Sequence, residues 1–339
     1  MDESVPGFLG WLVTESGRVA RISPELAFSD HCGAWKARWG IGRMSYLVPP
    51  GLYAVGAPSP GDPVVVTANY KMSYDIVRRS LAGRNVWLLV LETFGVNVWC
   101  AAGKGTFGTG ELIARIKATN LKSFVGRATL ILPILGAPGV AAHEVKKRTG
   151  FEVRYAAIRA NDLPEYLDNG MVTTPAMREL TFTFRERLAL TPVELVTALK
   201  PLGVAGGLLF LAVAFFLGPA AALRALVAFI GAALSGIVVG PLLLGLLPGR
   251  SFSFKGALVG IVWTAAYFLA IGIQGMNYAA IGGAFLALPA VSAFYTLNFT
   301  GCTTFTSPSG VRREMRFALP AMGFALIIGG FLVLAGLPL

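Results

Sequence analysis

The stretch Val86-Trp87-Leu88-Leu89-Val90-Leu91-Glu92-Thr93-Phe94-Gly95-Val96-Asn97-Val98-Trp99-Cys100-Ala101-Ala102-Gly103-Lys104 decides the fold of this chain. Its first six residues are apolar without alternation, the pattern of a strand buried on both faces of a sheet. Asn97 is a good helix N-cap, so a short turn separates this strand from a helix that begins at Val98. The same order recurs on either side. Strands are predicted at 63–69, 85–91, 128–132 and 151–155, with a further one at 180–184. Helices are predicted at 74–81, capped by Ser73 and stopped by Gly83, and near 98–104, 110–118, 140–148 and 163–167. Buried strands alternating with helices predict a parallel, Rossmann-like α/β domain over 61–190. Residues 1–60 lack clear periodicity and read as an irregular lead-in packed on that domain.

The rest of the chain has a different solvent. Overall 55% of the residues are hydrophobic and only 14% charged, against roughly 25% charged in ordinary soluble domains. Residues 201–339 hold six basic side chains and one acidic, so 23 of the 29 basic and 17 of the 18 acidic residues precede them. Five apolar windows, at about 201–218, 222–247, 256–274, 278–299 and 317–338, each approach the ~20 residues a membrane helix needs. A linker helix is expected at 191–200. Arg250, Lys255, Arg312, Arg313 and Arg316 fall in the second and fourth breaks, which places the N-terminal domain in the cytoplasm, the chain in the inner (cytoplasmic) membrane and the C-terminus outside. The spans carry no Asp, Glu, Lys or His at their centres, which speaks against an ion-coupled transporter.

A net charge of +11 invites a nucleic-acid reading, but no basic run with interleaved aromatics supports one, so no nucleic-acid partner is expected. Cys32, Cys100 and Cys302 are odd in number and form no Cys-x-x-Cys pair, which disfavours a disulfide framework, a zinc site and a protein-bound iron–sulfur cluster. Met1-Asp2-Glu3 opens acidic with no early apolar run, so no signal peptide is expected. Gly103-x-Gly105-x-x-Gly108 matches a dinucleotide fingerprint but follows a helix instead of a strand, and Ser123 stands where an acid would be needed. Lys104 is followed by Gly105, which excludes a Walker loop. His31 and His143 are the only histidines; His143 reads as structural, and Asp30-His31-Cys32-Gly33 as a plain loop.

In a parallel sheet ligands bind beyond the carboxyl ends of the strands. Segments 67–71 and 93–110 occupy that rim. There Cys100 would stand in the first turn of its helix, where the dipole favours a thiolate, with Lys104 four residues on along the same face. Periodicity alone leaves a buried, inert cysteine as the alternative. Thr67, Asn69, Val96, Asn97, Trp99, Ala101, Lys104, Gly105 and Thr106 are the other candidate cofactor contacts, although Val98 and Trp99 could equally pack the helix onto the sheet.

The run Asn97-Val98-Trp99-Cys100-Ala101-Ala102-Gly103-Lys104 resembles the cap-helix motif of the corrinoid protein family of bacterial and archaeal mercury methylation, HgcA. The resemblance extends through Thr67-Ala68-Asn69-Tyr70, Gly105-Thr106-Phe107-Gly108-Thr109 and the loop at 298–310, and covers most of the chain beyond about residue 40. It implies a cobalamin-type corrinoid held base-off, with Cys100 as lower axial ligand to cobalt, and transfer of a methyl group as a carbanion equivalent to mercury(II). It also implies a small ferredoxin-like partner of the HgcB type, with two 4Fe–4S clusters, as electron donor, and a methyl donor reached through a folate-linked methyltransferase. A related family, the large subunit of the corrinoid iron–sulfur protein, carries its own four-cysteine cluster, for which this chain lacks the cysteines. The usual Asp-x-His-x-x-Gly corrinoid motif is also absent.

Overall fold

In the computed structural model of the chain, residues 5–126, 128–273, 277–303 and 305–336 are described. Residues 274–276 of the break expected at 274–277, Thr304 of the polar loop and the last two residues of the expected fifth span lie outside them. The chain divides into two compact units, Met1–Leu180 and Thr181–Leu339.

The first unit is built on a seven-stranded sheet of order β1-β2-β3-β5-β4-β6-β7. Its strands are β1 (Phe8–Thr14), β2 (Gly17–Ile22), β3 (Gly51–Val55), β4 (Val64–Ala68), β5 (Val86–Leu91), β6 (Thr129–Leu132) and β7 (Glu152–Tyr155). β5, β4, β6 and β7 run parallel in register, Val65 opposite Leu88 and Leu130 opposite Val153. Successive residues of β5 enter opposite cores. Trp87, Leu89 and Leu91 pack with Val66, Phe107 and Phe151 on one face, and Val86, Leu88 and Val90 pack with Tyr53, Tyr74 and Ile131 on the other. Burial on both faces is what an unbroken apolar run requires.

The lead-in differs from the sequence expectation. Instead of irregular chain it supplies three strands and a helix, α1 (Phe28–Arg38), and it makes the sheet mixed: β1 is antiparallel to β2, and β3 antiparallel to β5. β1 is a half-exposed edge strand interrupted by a bulge between Phe8 and Gly10, so its two-residue period is blurred. β3 is fully buried but only five residues long. The strand expected at 180–184 does not form, because Thr183 caps a helix there, its Oγ1 accepting from the Glu186 N–H while the Glu186 carboxylate accepts from the Thr183 N–H. That is a capping box.

Asp30-His31-Cys32-Gly33 is likewise helical, lying on α1. Asp30 is drawn inward to meet α2 (Lys71–Ser80). Its carboxylate accepts from Lys71 Nζ at 2.5 Å and Arg78 Nη2 at 2.6 Å, and Asp75 accepts from Lys71 Nζ at 2.6 Å and Arg78 Nε at 2.8 Å. All four side chains are at least nine-tenths buried. Burial alone would raise Asp30, but the Lys71 and Arg78 bonds and the Ala27 N–H outweigh it and hold the carboxyl below its ordinary value. Burial would lower Lys71, and its two carboxylate partners raise it instead.

α2 begins at Lys71 with Tyr70 as N-cap, so Ser73 lies inside the helix and is not its cap. The remaining helices of this unit are α3 (Val98–Lys104), α4 (Thr109–Ala118), α5 (Leu121–Phe124), α6 (Ala142–Thr149) and α7 (Leu163–Asp168).

Among its described residues the second unit contains five helical segments long and apolar enough to cross a membrane. They are α8 (Phe184–Leu217), α9 (Pro219–Leu234) continued through a π turn to α10 (Gly240–Leu242), α11 (Phe252–Ile271), α12 (Tyr278–Asn298) and α13 (Pro308–Ala335). The expected linker at 191–200 is not a separate element but part of α8. Backbone approaches hold α12 in place. A Cβ at Gly236 would fall 2.3 Å from Ser292 O, one at Gly260 2.6 Å from Pro289 Cα, and one at Gly283 2.4 Å from Gly329 O. Small residues permit this closeness, and close packing joins helices where lipid removes the hydrophobic drive. The expected loop at 298–310 is largely absorbed by a 3-10 turn, Phe299–Cys302, and by the start of α13.

Candidate functional site

The site is built where β5 ends. Its last strand residue, Leu91, is followed by a loop that must turn back over the sheet rim, and Phe94 (φ 54°) and Gly95 (φ 72°) make that turn in the left-handed region. Glycine is required at 95 for a second reason: a Cβ there would lie 2.7 Å from Leu47 Cδ2 and 3.1 Å from Met44 O.

Asn97 then opens α3. Its backbone is extended (φ −64°, ψ 161°) and its Oδ1 accepts from the Cys100 N–H at 2.9 Å, so Val98, Trp99 and Cys100 are the first three helical residues, as the sequence predicts. Ala101 and Ala102 face the sheet and are buried, whereas Trp99, Cys100, Gly103 and Lys104 are exposed. The Cys100 thiol therefore stands on the outer face of a short capped helix, on the carboxyl-terminal rim of the parallel strands. The buried, inert alternative is not what the fold adopts.

The glycines that follow serve the chain's own geometry. Gly105 ends α3 in the left-handed region (φ 81°), and the N–H groups of Thr106 and Phe107 both donate to Ala101 O, at 2.9 and 3.1 Å. Phe107 plunges into the core. Gly136 faces its ring, where a Cβ would fall 2.6 Å from Cε1, and Gly139 faces its carbonyl, where a Cβ would fall 2.1 Å from the oxygen. A Cβ at Gly108 would lie 2.5 Å from Gly105 O. These features account for Gly105 and Gly108 of the Gly-x-Gly-x-x-Gly spacing without a nucleotide, whereas a Cβ at Gly103 would meet nothing within 4 Å.

Between α3 and the strand ends lies a cavity of about 260 Å³. It is lined by Thr67 of β4, Ile76 of α2, Asn97, Val98 and Trp99 at the start of α3, and Ile158 beyond β7. The walls are mainly apolar, but Thr67 Oγ1, on a residue 1% exposed, has no hydrogen-bond partner in the protein. Such an orphaned hydroxyl costs free energy unless something in the cavity satisfies it.

The ten candidate site residues thus divide into three sets. Thr67, Asn97 and Trp99 meet at the cavity. Trp99, Cys100, Lys104 and Gly105 lie on the exposed side of α3 and its cap, with Thr106 half-buried beside them. Asn69, Val96 and Ala101 are turned inward: Val96 packs against the core, Ala101 is fully buried, and Asn69 spends its amide on the loop at 92–95. Glu92 and Thr93 escaped sequence reasoning, although a carboxylate directly after an apolar strand was a visible signal. Among the described residues, no cluster of three or more His, Cys, Asp or Glu is placed to hold a metal.

Comparison with known proteins converges on this region. Residues 42–167 match the family model for the CO dehydrogenase/acetyl-CoA synthase delta subunit. The chain is 33% identical over 124 residues to the acetyl-CoA decarbonylase/synthase complex subunit gamma of Methanopyrus kandleri, covering 36% of this chain and 26% of that one. The corresponding subunit of Archaeoglobus fulgidus is 30% identical over 128 residues, or 37% and 27%. The corrinoid/iron-sulfur protein large subunit of Moorella thermoacetica is 31% identical over 104 residues, or 30% and 23%. The chain spans about a quarter of the length of these relatives. The shared segment runs from the approach to β3 through most of α7. It leaves out the β1–β2 hairpin, α1 and the five apolar helices.

Proposed function

We propose that the first unit is a corrinoid-binding domain and that the whole chain is a membrane-anchored, corrinoid-dependent methyltransferase acting on mercury(II). The observation behind this reading is the exposed Cys100 in the first turn of α3, inside the segment 42–167 that matches the family model for the CO dehydrogenase/acetyl-CoA synthase delta subunit. The residues fit the group. A thiolate is a soft, strongly donating metal ligand, Gly103 presents no side chain beside it, and the mainly apolar cavity below α3 has in Thr67 an unused hydroxyl.

A bound corrinoid would supply the methyl-transfer chemistry; the protein's part is to hold and ligate it. Cys100 would be the protein's ligand to the metal of that group, the Asn97 cap would fix its position, and Trp99 and Lys104 would border it. A Cys100 thiolate would be a soft, strongly donating ligand, suited to methyl transfer toward a soft acceptor such as mercury(II). Three cysteines are too few for a four-cysteine cluster in this chain, so electrons would come from outside it; the resemblance to the HgcA family implies a ferredoxin-like partner with two 4Fe–4S clusters. The methyl group would be supplied through a folate-linked methyltransferase. The second unit would lie in the cytoplasmic membrane with the N-terminal unit in the cytoplasm.

The test is an absorption spectrum of the purified protein reconstituted with cobalamin, beside Cys100→Ala. A cobalt–thiolate signature absent from the variant, together with loss of methylmercury formation, is the expected result. Retained methylation in Cys100→Ala would sink the reading.

The names of the relatives favour a second reading, a corrinoid methyl carrier of acetyl-CoA-type metabolism not dedicated to mercury. The two differ in where the methylated protein discharges fastest. Faster transfer to a thiol or folate acceptor than to mercury(II) would decide for the carrier.

A further inference from the structure

We infer that Asn69 is a positioning residue for Cys100: paired with Glu92, it latches the loop that delivers α3, and it does so from below the site instead of touching the cofactor. This rests on the reading of Cys100 as the cobalt ligand.

Asn69 follows the last residue of β4, is 1% exposed, and is itself fixed by its backbone, its N–H donating to Leu91 O and its carbonyl accepting from the Val48 N–H, both at 2.9 Å. Its side chain reaches across to the β5–α3 loop. Oδ1 accepts from the Thr93 N–H at 3.0 Å and the Gly95 N–H at 3.4 Å, and Nδ2 donates to Glu92 Oε1 at 2.7 Å. Thr93 Oγ1 lies 2.9 Å from Asn69 Oδ1 and 2.7 Å from Val96 O, with one proton to give to either. Glu92 Oε1 also accepts from the Phe94 N–H at 2.8 Å, and the Glu92 N–H donates to Glu111 Oε1 at 2.9 Å.

The latch therefore grips the two residues in the left-handed region, one of which, Phe94, is no glycine. Such a conformation persists only where its surroundings over-determine it. Val96 is next to Asn97, and Asn97 caps Cys100. A thiol that must meet a metal to within a few tenths of an ångström needs this kind of support. Without it, the turn at 94–95 relaxes and the whole of α3 shifts with it.

The full chain and three variants test this: Asn69→Ala, Asn69→Asp, and Asn69→Asp combined with Glu92→Gln. The aspartate alone opposes Glu92; the added glutamine removes that charge and offers an N–H donor to the aspartate. Amide exchange in the corrinoid-free protein is expected to quicken about tenfold or more over 92–102 in both single variants, with β6 unchanged. After reconstitution with cobalamin, both should bind corrinoid yet lose the thiolate signature. The double variant should regain slow exchange and the signature together. Unchanged exchange over 92–102, exchange raised equally in β6, or no recovery in the double variant would overturn the latch. A wild-type protein lacking the signature would overturn the cobalt reading and leave the exchange result to judge the latch by itself.

Discussion

Asn97 secures the Cys100 amide through a single 2.9 Å bond, and an N-cap of this kind is worth about 1 kcal/mol. Asn97→Ala should accordingly speed exchange of the Cys100 amide severalfold while the strands stay protected. Asp30 makes a sharper case, since it holds two buried cations at once. Removing its charge leaves Lys71 and Arg78 short of a counterion, and breaking a buried pair from one side costs about 3–5 kcal/mol; Asp30→Asn should lower the urea midpoint of the first unit accordingly. The pH dependence has a definite sign. Asp30 lies below its ordinary value of 3.8, so its contribution is present above that pH and is lost as pH falls through the lowered value. The wild-type urea midpoint should drop below about pH 4, and the part of that drop due to Asp30 should be missing in Asp30→Asn.

At the level of elements, β5 and α3 were legible because each obeys a local rule: an apolar run for burial on both faces, and an asparagine cap before a first turn. β1, β2 and β3 were not, because what makes them strands is non-local. β3 becomes a strand by pairing Tyr53 with Leu88 of β5, and nothing in its five residues announces that partner or its antiparallel sense. The site divided in the same way. Cys100 and its cap could be read from spacing, while the inward turn of Asn69 depends on Glu92 and Thr93 reaching it across the rim. The seat of α3 depends likewise on Gly139, where an added Cβ would meet Phe107 O and approach Ala102 Cα to 3.0 Å. Overpacking of this sort costs about 1–3 kcal/mol. Gly139→Ala should lower the melting temperature and loosen α3 in amide exchange more than it loosens β7.

For the whole molecule, the division at Leu180 separates an α/β unit from a helical one. The five membrane-length segments among the described residues are an odd number, so if all five cross, Thr183 and Gly336 lie on opposite sides. Accessibility of single introduced cysteines to an impermeant thiol reagent checks this, and labelling of both ends from one side would mean that a segment does not cross. The glycine contacts of α12 bear on what such a bundle can do. Side-chain interfaces can slip because rotamers offer a second way to fit. A joint in which Gly236 meets the Ser292 carbonyl and Gly283 meets Gly329 has main chain on main chain, with no alternative packing to adopt. A larger side chain at Gly236 or Gly283 would therefore have to push whole helices apart, because the atoms it would meet are main-chain atoms.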